Sequence, residues 1–98
     1  MKNQILVVDS GLGGLNVLRL LQKSMPHRNF IYFADEAYCP YGEKSTECVK
    51  TRVLKIVDVF KHVACATVLA CNTASVCAGD ELRQAYAPLF DVVLPTIE

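Results

Sequence analysis

The chain has 98 residues, of which 52% are hydrophobic, and its ten basic side chains balance ten acidic ones. That is enough for one small domain with one core, at the low end for an α/β sheet covered on both faces, and too apolar for disorder. With no net charge, nothing favours a nucleic acid or an anionic membrane as partner; the positive charges between Lys50 and Lys61 are spread along a helix and mixed with acids.

The opening Met1-Lys2-Asn3-Gln4 runs into an apolar stretch that stops at Asp9, too soon for a signal peptide or a membrane span. A cytoplasmic protein is therefore expected. The five cysteines (39, 48, 65, 71 and 77) are odd in number and lack C-x-x-C spacing, which favours reduced thiols over disulfides. His27 and His62 lie in polar segments with no ligand spacing to the cysteines, so no metal is expected.

Ile5-Leu6-Val7-Val8 has the continuous apolar character of a strand buried on both faces. A glycine-rich turn, Asp9 to Gly14, leads into a helix marked by Leu15, Leu18 and Leu21 and broken near Met25-Pro26. Phe30 to Phe33 is the second strand, followed by a long loop through Pro40-Tyr41-Gly42. Ser45 or Thr46 caps the next helix, with Val49, Val53, Ile56 and Phe60 on its buried stripe and Lys50, Arg52, Lys55, Asp58 and Lys61 on its wet face. Thr67 to Ala70 is the third strand. A helix from about residue 73 to 86 turns Ala74, Cys77, Ala78, Leu82 and Ala85 inward, and Gly79 within it hints at close packing. Pro88 ends that region, Val92-Val93-Leu94 forms a fourth strand, and Pro95-Thr96-Ile97-Glu98 closes the chain.

Alternating strands and helices predict an α/β fold: three layers, with a mainly parallel sheet of about four strands and right-handed crossovers. No repeat, linker or low-complexity tract divides it, so residues 1–98 read as a single domain. In such sheets sites form beyond the carboxyl ends of the strands. The unusual residues fall there: Asp9-Ser10, Asp35 with Pro40-Tyr41-Gly42, Cys71-Asn72-Thr73, and Pro95-Thr96. In a flavodoxin-like 2-1-3 order, strands one and three are neighbours and Asp9 faces Cys71 across the switch point.

The central stretch is Val68 to Ser75, where a strand runs into a helix start at Cys71, with Asn72 and Thr73 as capping residue types. The backbone N–H groups and dipole of a helix start favour negative charge, and so the thiolate, the form that acts as nucleophile or base. Plainer readings stand beside this one. Cys71 can be a small buried apolar residue, Asp9 a turn or capping residue, Asp35 and Glu36 solvated loop acids, and Pro40-Tyr41-Gly42 a plain turn. Cys39, Cys48, Cys65 and Cys77 read as packing residues. Gly11, Gly13 and Gly14 do not complete G-x-G-x-x-G, although a carboxylate could sit at that helix start.

Three motifs in order and register, Asp9-Ser10-Gly11-Leu12-Gly13-Gly14-Leu15, Pro40-Tyr41-Gly42-Glu43-Lys44-Ser45 and Ala70-Cys71-Asn72-Thr73-Ala74-Ser75, resemble the N-terminal motifs of the glutamate racemases. Pro95-Thr96-Ile97-Glu98 resembles the segment that leads into that family's second domain. Aspartate racemases are similar around Cys-Asn-Thr but usually lack the other two motifs. The resemblance implies a cofactor-independent enzyme that interconverts L- and D-glutamate by two-cysteine proton transfer and supplies D-glutamate for peptidoglycan. Cys71 then matches one of the two cysteines, and Asp9 the acidic group that assists it near the substrate ammonium. Ser10, Tyr41, Gly42, Asn72 and Thr73 match positions that hold the substrate. A two-base racemase needs an acid/base group on each side of a planar carbanion, and one domain rim supplies one face.

The family's members are more than twice as long, with the site between two similar domains. The resemblance therefore implies that these residues are an N-terminal half without its partner domain and inactive alone; apolar surface bared by the missing domain would favour self-association or pairing with a separate C-terminal half. The rival expectations are a non-catalytic binding fragment, an aspartate racemase-like enzyme, and a thiol redox protein, which lacks a resolving cysteine.

Overall fold

The computed structural model describes residues 3–11, 13–38, 40–86 and the backbone of 91–93. Leu12, Cys39, Pro88, Leu94 and the segment Pro95-Thr96-Ile97-Glu98 lie outside the described residues, and with them the expected end of strand four.

Strands β1 (Gln4–Asp9), β2 (Asn29–Ala34), β3 (Ala64–Leu69) and β4 (Asp91–Val93) form one sheet in the order β2-β1-β3-β4. Every pairing is parallel. Helix α1 (Leu15–Ser24) covers one face, and α2 (Thr46–Phe60) and α3 (Asn72–Tyr86) cover the other. The three-layer reading holds, and so does the adjacency of strands one and three.

Burial follows the pleat. Ile5 and Val7 pack with Val17, Leu18 and Leu21 of α1, while Leu6 and Val8 pack with Val49, Val53, Ala78 and Leu82 of α2 and α3. A central strand that buries both faces must be apolar throughout, which is why β1 shows no alternation.

Three local expectations change. Strand β3 begins at Ala64, not Thr67: Ala64, Cys65 and Ala66 lack β-branching, but pairing with β1 draws them into the ladder. The register slips there, Gln4 aligning with Ala64 and Ile5 with Ala66, so one extra residue is absorbed at the start of β3. In α3, Ala85 is exposed and Tyr86 is buried in its place, its hydroxyl donating to Asp58 Oδ1 at 3.0 Å. Helix spacing allows either residue to continue the stripe of Ala78 and Leu82; the larger ring buries more apolar surface and finds a partner for its hydroxyl. In α2, Val57 is buried and Phe60 only partly so, its ring edge-on to Phe33 at 6.0 Å. Ser45 is the N-cap, accepting the Cys48 N–H at 3.1 Å.

Candidate functional site

The carboxyl rim of the sheet is built from the ends of β1, β2 and β3. The Val8 carbonyl accepts the Ala70 N–H at 2.9 Å, so Asp9 and Cys71 each stand one residue beyond a shared hydrogen bond. On the other side the Asp9 carbonyl accepts the Asp35 N–H at 2.9 Å. Asp9 thus sits between the ends of both neighbouring strands.

The Asp9 carboxylate is only 5% exposed. Its Oδ1 accepts the Ser10 N–H at 2.8 Å, and its Oδ2 accepts the Gly14 N–H at the start of α1. The Tyr32 hydroxyl lies 3.2 Å from Oδ2 and 2.9 Å from the Gly11 carbonyl, and its one proton serves one of the two at a time. Burial, and then the Asp9 charge beside it, push Tyr32 up to about 12. The turn and capping roles weighed for Asp9 are both present: one oxygen takes the Ser10 N–H in the turn and the other takes one free N–H, that of Gly14, at the start of α1. They leave part of the carboxylate's acceptor capacity for a ligand, a carboxylate having about four acceptor positions.

Cys71 is half-buried and packs against the core under α2 and α3, whereas Ala70 packs on the α1 side. Asp9 and Cys71 therefore stand at neighbouring strand ends while their side chains serve different faces of the sheet. The helix begins at Asn72 itself, so Asn72 and Thr73 are its first residues and Cys71 precedes it. The Cys71 carbonyl receives the Ser75 N–H at 3.1 Å and the Ser75 hydroxyl at 3.0 Å. Asn72 is exposed, Thr73 and Ser10 half-buried.

The loop after β2 holds two short 3-10 turns, Glu36–Tyr38 and Tyr41–Glu43. Neither plain reading survives for Asp35 or for Tyr41. Asp35 is 2% exposed, and it is gripped by Arg52 of α2, Nε donating to Oδ2 at 2.8 Å and Nη2 to Oδ1 at 2.9 Å. Tyr41, at 1% exposure, donates its hydroxyl proton to Asp35 Oδ2 at 2.6 Å. Burial works to raise the Asp35 carboxyl, but the Arg52 and Tyr41 hydrogen bonds outweigh it and hold it below the usual carboxylate range. Burial and the Asp35 carboxylate push Tyr41 far above the phenol range, against the opposing charge of Arg52. Gly42 faces open space, with nothing within 4 Å of where a Cβ would stand.

The expected wet face of α2 holds, with Lys55 and Asp58 exposed and Lys50, Arg52 and Lys61 half-buried, and it carries ion pairs. Besides Arg52, Lys50 bridges Glu47 at 2.8 Å and Glu81 of α3 at 2.9 Å, and Asp58 accepts from Tyr86 and Lys61. A cavity of about 330 Å³ lies on the flank of β2 and α2, lined by Phe33, Ile56, Val59 and Phe60 with Arg52, Lys55 and Asp58. It includes neither Asp9 nor Cys71, and the rim is the better site on chemical grounds. Among the described residues no group of His, Cys, Asp and Glu is placed to hold a metal ion, and no helix is long and apolar enough to cross a membrane.

Reading by element missed Tyr32 and Arg52, and it put Asp35 on the rim without its partners. Tyr32 had a usable signal: alternation along β2 puts it on the α1 face, level with the end of β1. Asp35 follows directly on the last residue of β2, a rim position in its own right.

No protein-family model matches the chain. It is 48% identical over 81 residues to the glutamate racemase of Pseudomonas aeruginosa strain UCBPP-PA14, a match that takes in 82% of this chain and 31% of that protein. Its fold superposes with a TM-score of 0.87 and 38% identity on the Escherichia coli glutamate racemase in complex with L-glutamate and the activator UDP-MurNAc-Ala. The chain belongs with the glutamate racemases. The Thermus thermophilus glutamate racemase in complex with β-chloro-D-alanine is similar too, with a TM-score of 0.84 and 37% identity. These superpositions cover 96% and 92% of this chain but 35% of each racemase, so the chain spans about a third of the length of the relatives it matches.

Proposed function

We propose that these residues supply one half of a glutamate racemase site, as a single N-terminal α/β domain over 1–98. The observation that carries this reading is the placement of Asp9 and Cys71 one residue beyond the shared Val8–Ala70 hydrogen bond, on the rim where a parallel sheet presents its ligands. Cys71, at the start of α3, is the base that removes the α-proton from one face of glutamate. Asp9 assists it and meets the substrate ammonium with the acceptor capacity its capping bonds leave free. Ser10, Tyr41, Gly42, Asn72 and Thr73 hold the carboxylates. Because the Tyr41 hydroxyl proton is committed to Asp35, Tyr41 serves the ligand through its backbone, and the open space at Gly42 admits close approach.

The second proton-transfer group comes from outside these residues. The complete reaction needs no cofactor, runs in the cytoplasm, and supplies D-glutamate for the cell wall. The 98-residue chain alone does not racemise glutamate. Its α-proton exchange is the test: each enantiomer in D₂O, followed by NMR, with Cys71→Ala as control. Exchange of one enantiomer, lost in the control, supports a working half-site. Exchange that persists in the control removes Cys71 from the mechanism, and full L-to-D conversion removes the half-site reading.

Val76 favours one further point. It is 76% exposed on α3, little more than a turn beyond Cys71. A large apolar side chain beside the rim suits cover by a second α/β half or a second copy of this chain. Sedimentation giving a compact monomer at all concentrations, with and without a C-terminal half supplied in trans, counts against this.

A further inference from the structure

We propose that the Arg52–Asp35 ion pair is a positioning device for the candidate site: it pins the Tyr41 phenol and so fixes the Pro40–Glu43 turn beside Cys71. What that site binds rests on the racemase reading above.

Among the described residues, the loop from Asp35 to Lys44 is held by the Tyr41 ring, buried in the core, and by a small set of polar bonds. Its own backbone bonds are local: Tyr38 N–H to Asp35, Glu43 N–H to Pro40 and Lys44 N–H to Tyr41. Among the described residues, its hydrogen-bonded anchors to the rest of the fold pass through Asp35. The Asp35 N–H reaches the Asp9 carbonyl, and its carboxylate takes two donors from Arg52 and one from Tyr41. The Arg52 guanidinium also lies over the Tyr38 ring, 4.3 Å from its centroid. One cation from α2 therefore grips both short turns of the loop. A planar fork suits this task, because two parallel N–H donors fix the carboxylate's orientation as well as its charge. The Tyr41 ring is part of the buried core against which Cys71 packs, and its turn meets α3, the helix that follows Cys71. Arg52 touches no reacting atom in this arrangement and acts through Asp35 and Tyr41.

The test is the rate at which iodoacetamide alkylates each cysteine at one fixed pH, read peptide by peptide by mass spectrometry. Cys77, half-buried further along α3, is the internal reference. Arg52→Met frees the turn, and Cys71 alkylation rises by about threefold or more while Cys77 stays unchanged, as local opening requires. Arg52→Lys, a point charge without the fork, falls between. A Cys71 rate that does not change, or Cys71 and Cys77 rates that rise by a common factor, overturns the proposal. If Arg52→Met fails to fold, Tyr41→Phe, which deletes only the hydroxyl bonded to Asp35, is judged by the same ratio. Protection of Cys71 by D- or L-glutamate in the unsubstituted chain is measured alongside. Lack of protection overturns the racemase reading, while the Cys71 to Cys77 ratio still decides the role of Arg52.

Discussion

Gly14 stands so close to Asp9 that residue 14 has no room for a side chain. A methyl group there would lie 2.6 Å from Asp9 Oδ2 and 2.8 Å from the Ala70 Cβ, and the carboxylate it would strike is the one that Gly14 itself bonds through its N–H. Gly14→Ala should therefore cost about 2–3 kcal/mol, the range of an overpacked core, read as a lower urea midpoint. Gly13→Ala is the control: its Cβ would meet Asp9 Oδ2 at 3.8 Å, an ordinary contact, and it should change stability by less than about 1 kcal/mol.

The Asp35–Arg52 pair gives a pH dependence of definite sign. The folded-state pKa of Asp35 is lowered from 3.8, so its contribution is fully present above that value and is lost as the pH falls through the lower folded one. Asp35→Asn, which leaves Arg52 without its counter-charge, should cost about 3 kcal/mol near pH 7. Urea titrations of the two proteins should converge as the pH drops below 3.8. A gap that stays constant down to the acid limit would contradict the pairing. Asp58, whose carboxyl is also lowered by Lys61 and Tyr86, is present in both proteins and cancels in the comparison.

Tyr32 works in the opposite direction. Its pKa is raised from 10.0 to about 12, so its contribution is complete below 10.0 and is lost as the pH rises through about 12. In a phenolate absorbance titration, Tyr32→Phe should remove a transition near 12 from the profile of the parent. Loss of a transition near 10 instead would mean that neither burial nor the Asp9 carboxylate acts on Tyr32.

Gly42 separates folding from binding. Nothing stands within 4 Å of its absent Cβ, so Gly42→Ala should keep full stability or gain up to about 1 kcal/mol from a less flexible unfolded chain. If the turn closes on glutamate, the same methyl should weaken protection of Cys71 by glutamate. Unaltered protection would remove Gly42 from the site.

The order of elements, the Ser45 cap and the neighbouring ends of β1 and β3 were legible because they depend on local pattern and on the few topologies a parallel sheet allows. So was Cys71 at a strand-to-helix junction. The partners of Asp35 and Arg52 were not. Helix periodicity puts Arg52 on the outer face of α2, and nothing in that period says that a loop from β2 lies over it. A loop acid reads as solvated until its tertiary partner is known. Ala85 and Tyr86 failed for a related reason: spacing permits both, and the choice depends on Asp58, a residue on another helix.

The extra residue absorbed where Ala64 and Ala66 align with Gln4 and Ile5 lies at the far end of β3 from Cys71. It works as slack in the strand. A residue lost or gained in the 61–63 connection can be taken up there without passing a shift along the ladder, because the alignment from Ile5–Ala66 to Val8–Leu69 is set by its own hydrophobic pattern. The Cys71 end of the strand is thus insulated from length changes at the other, so that the turn after α2 can change length while the thiol keeps its place.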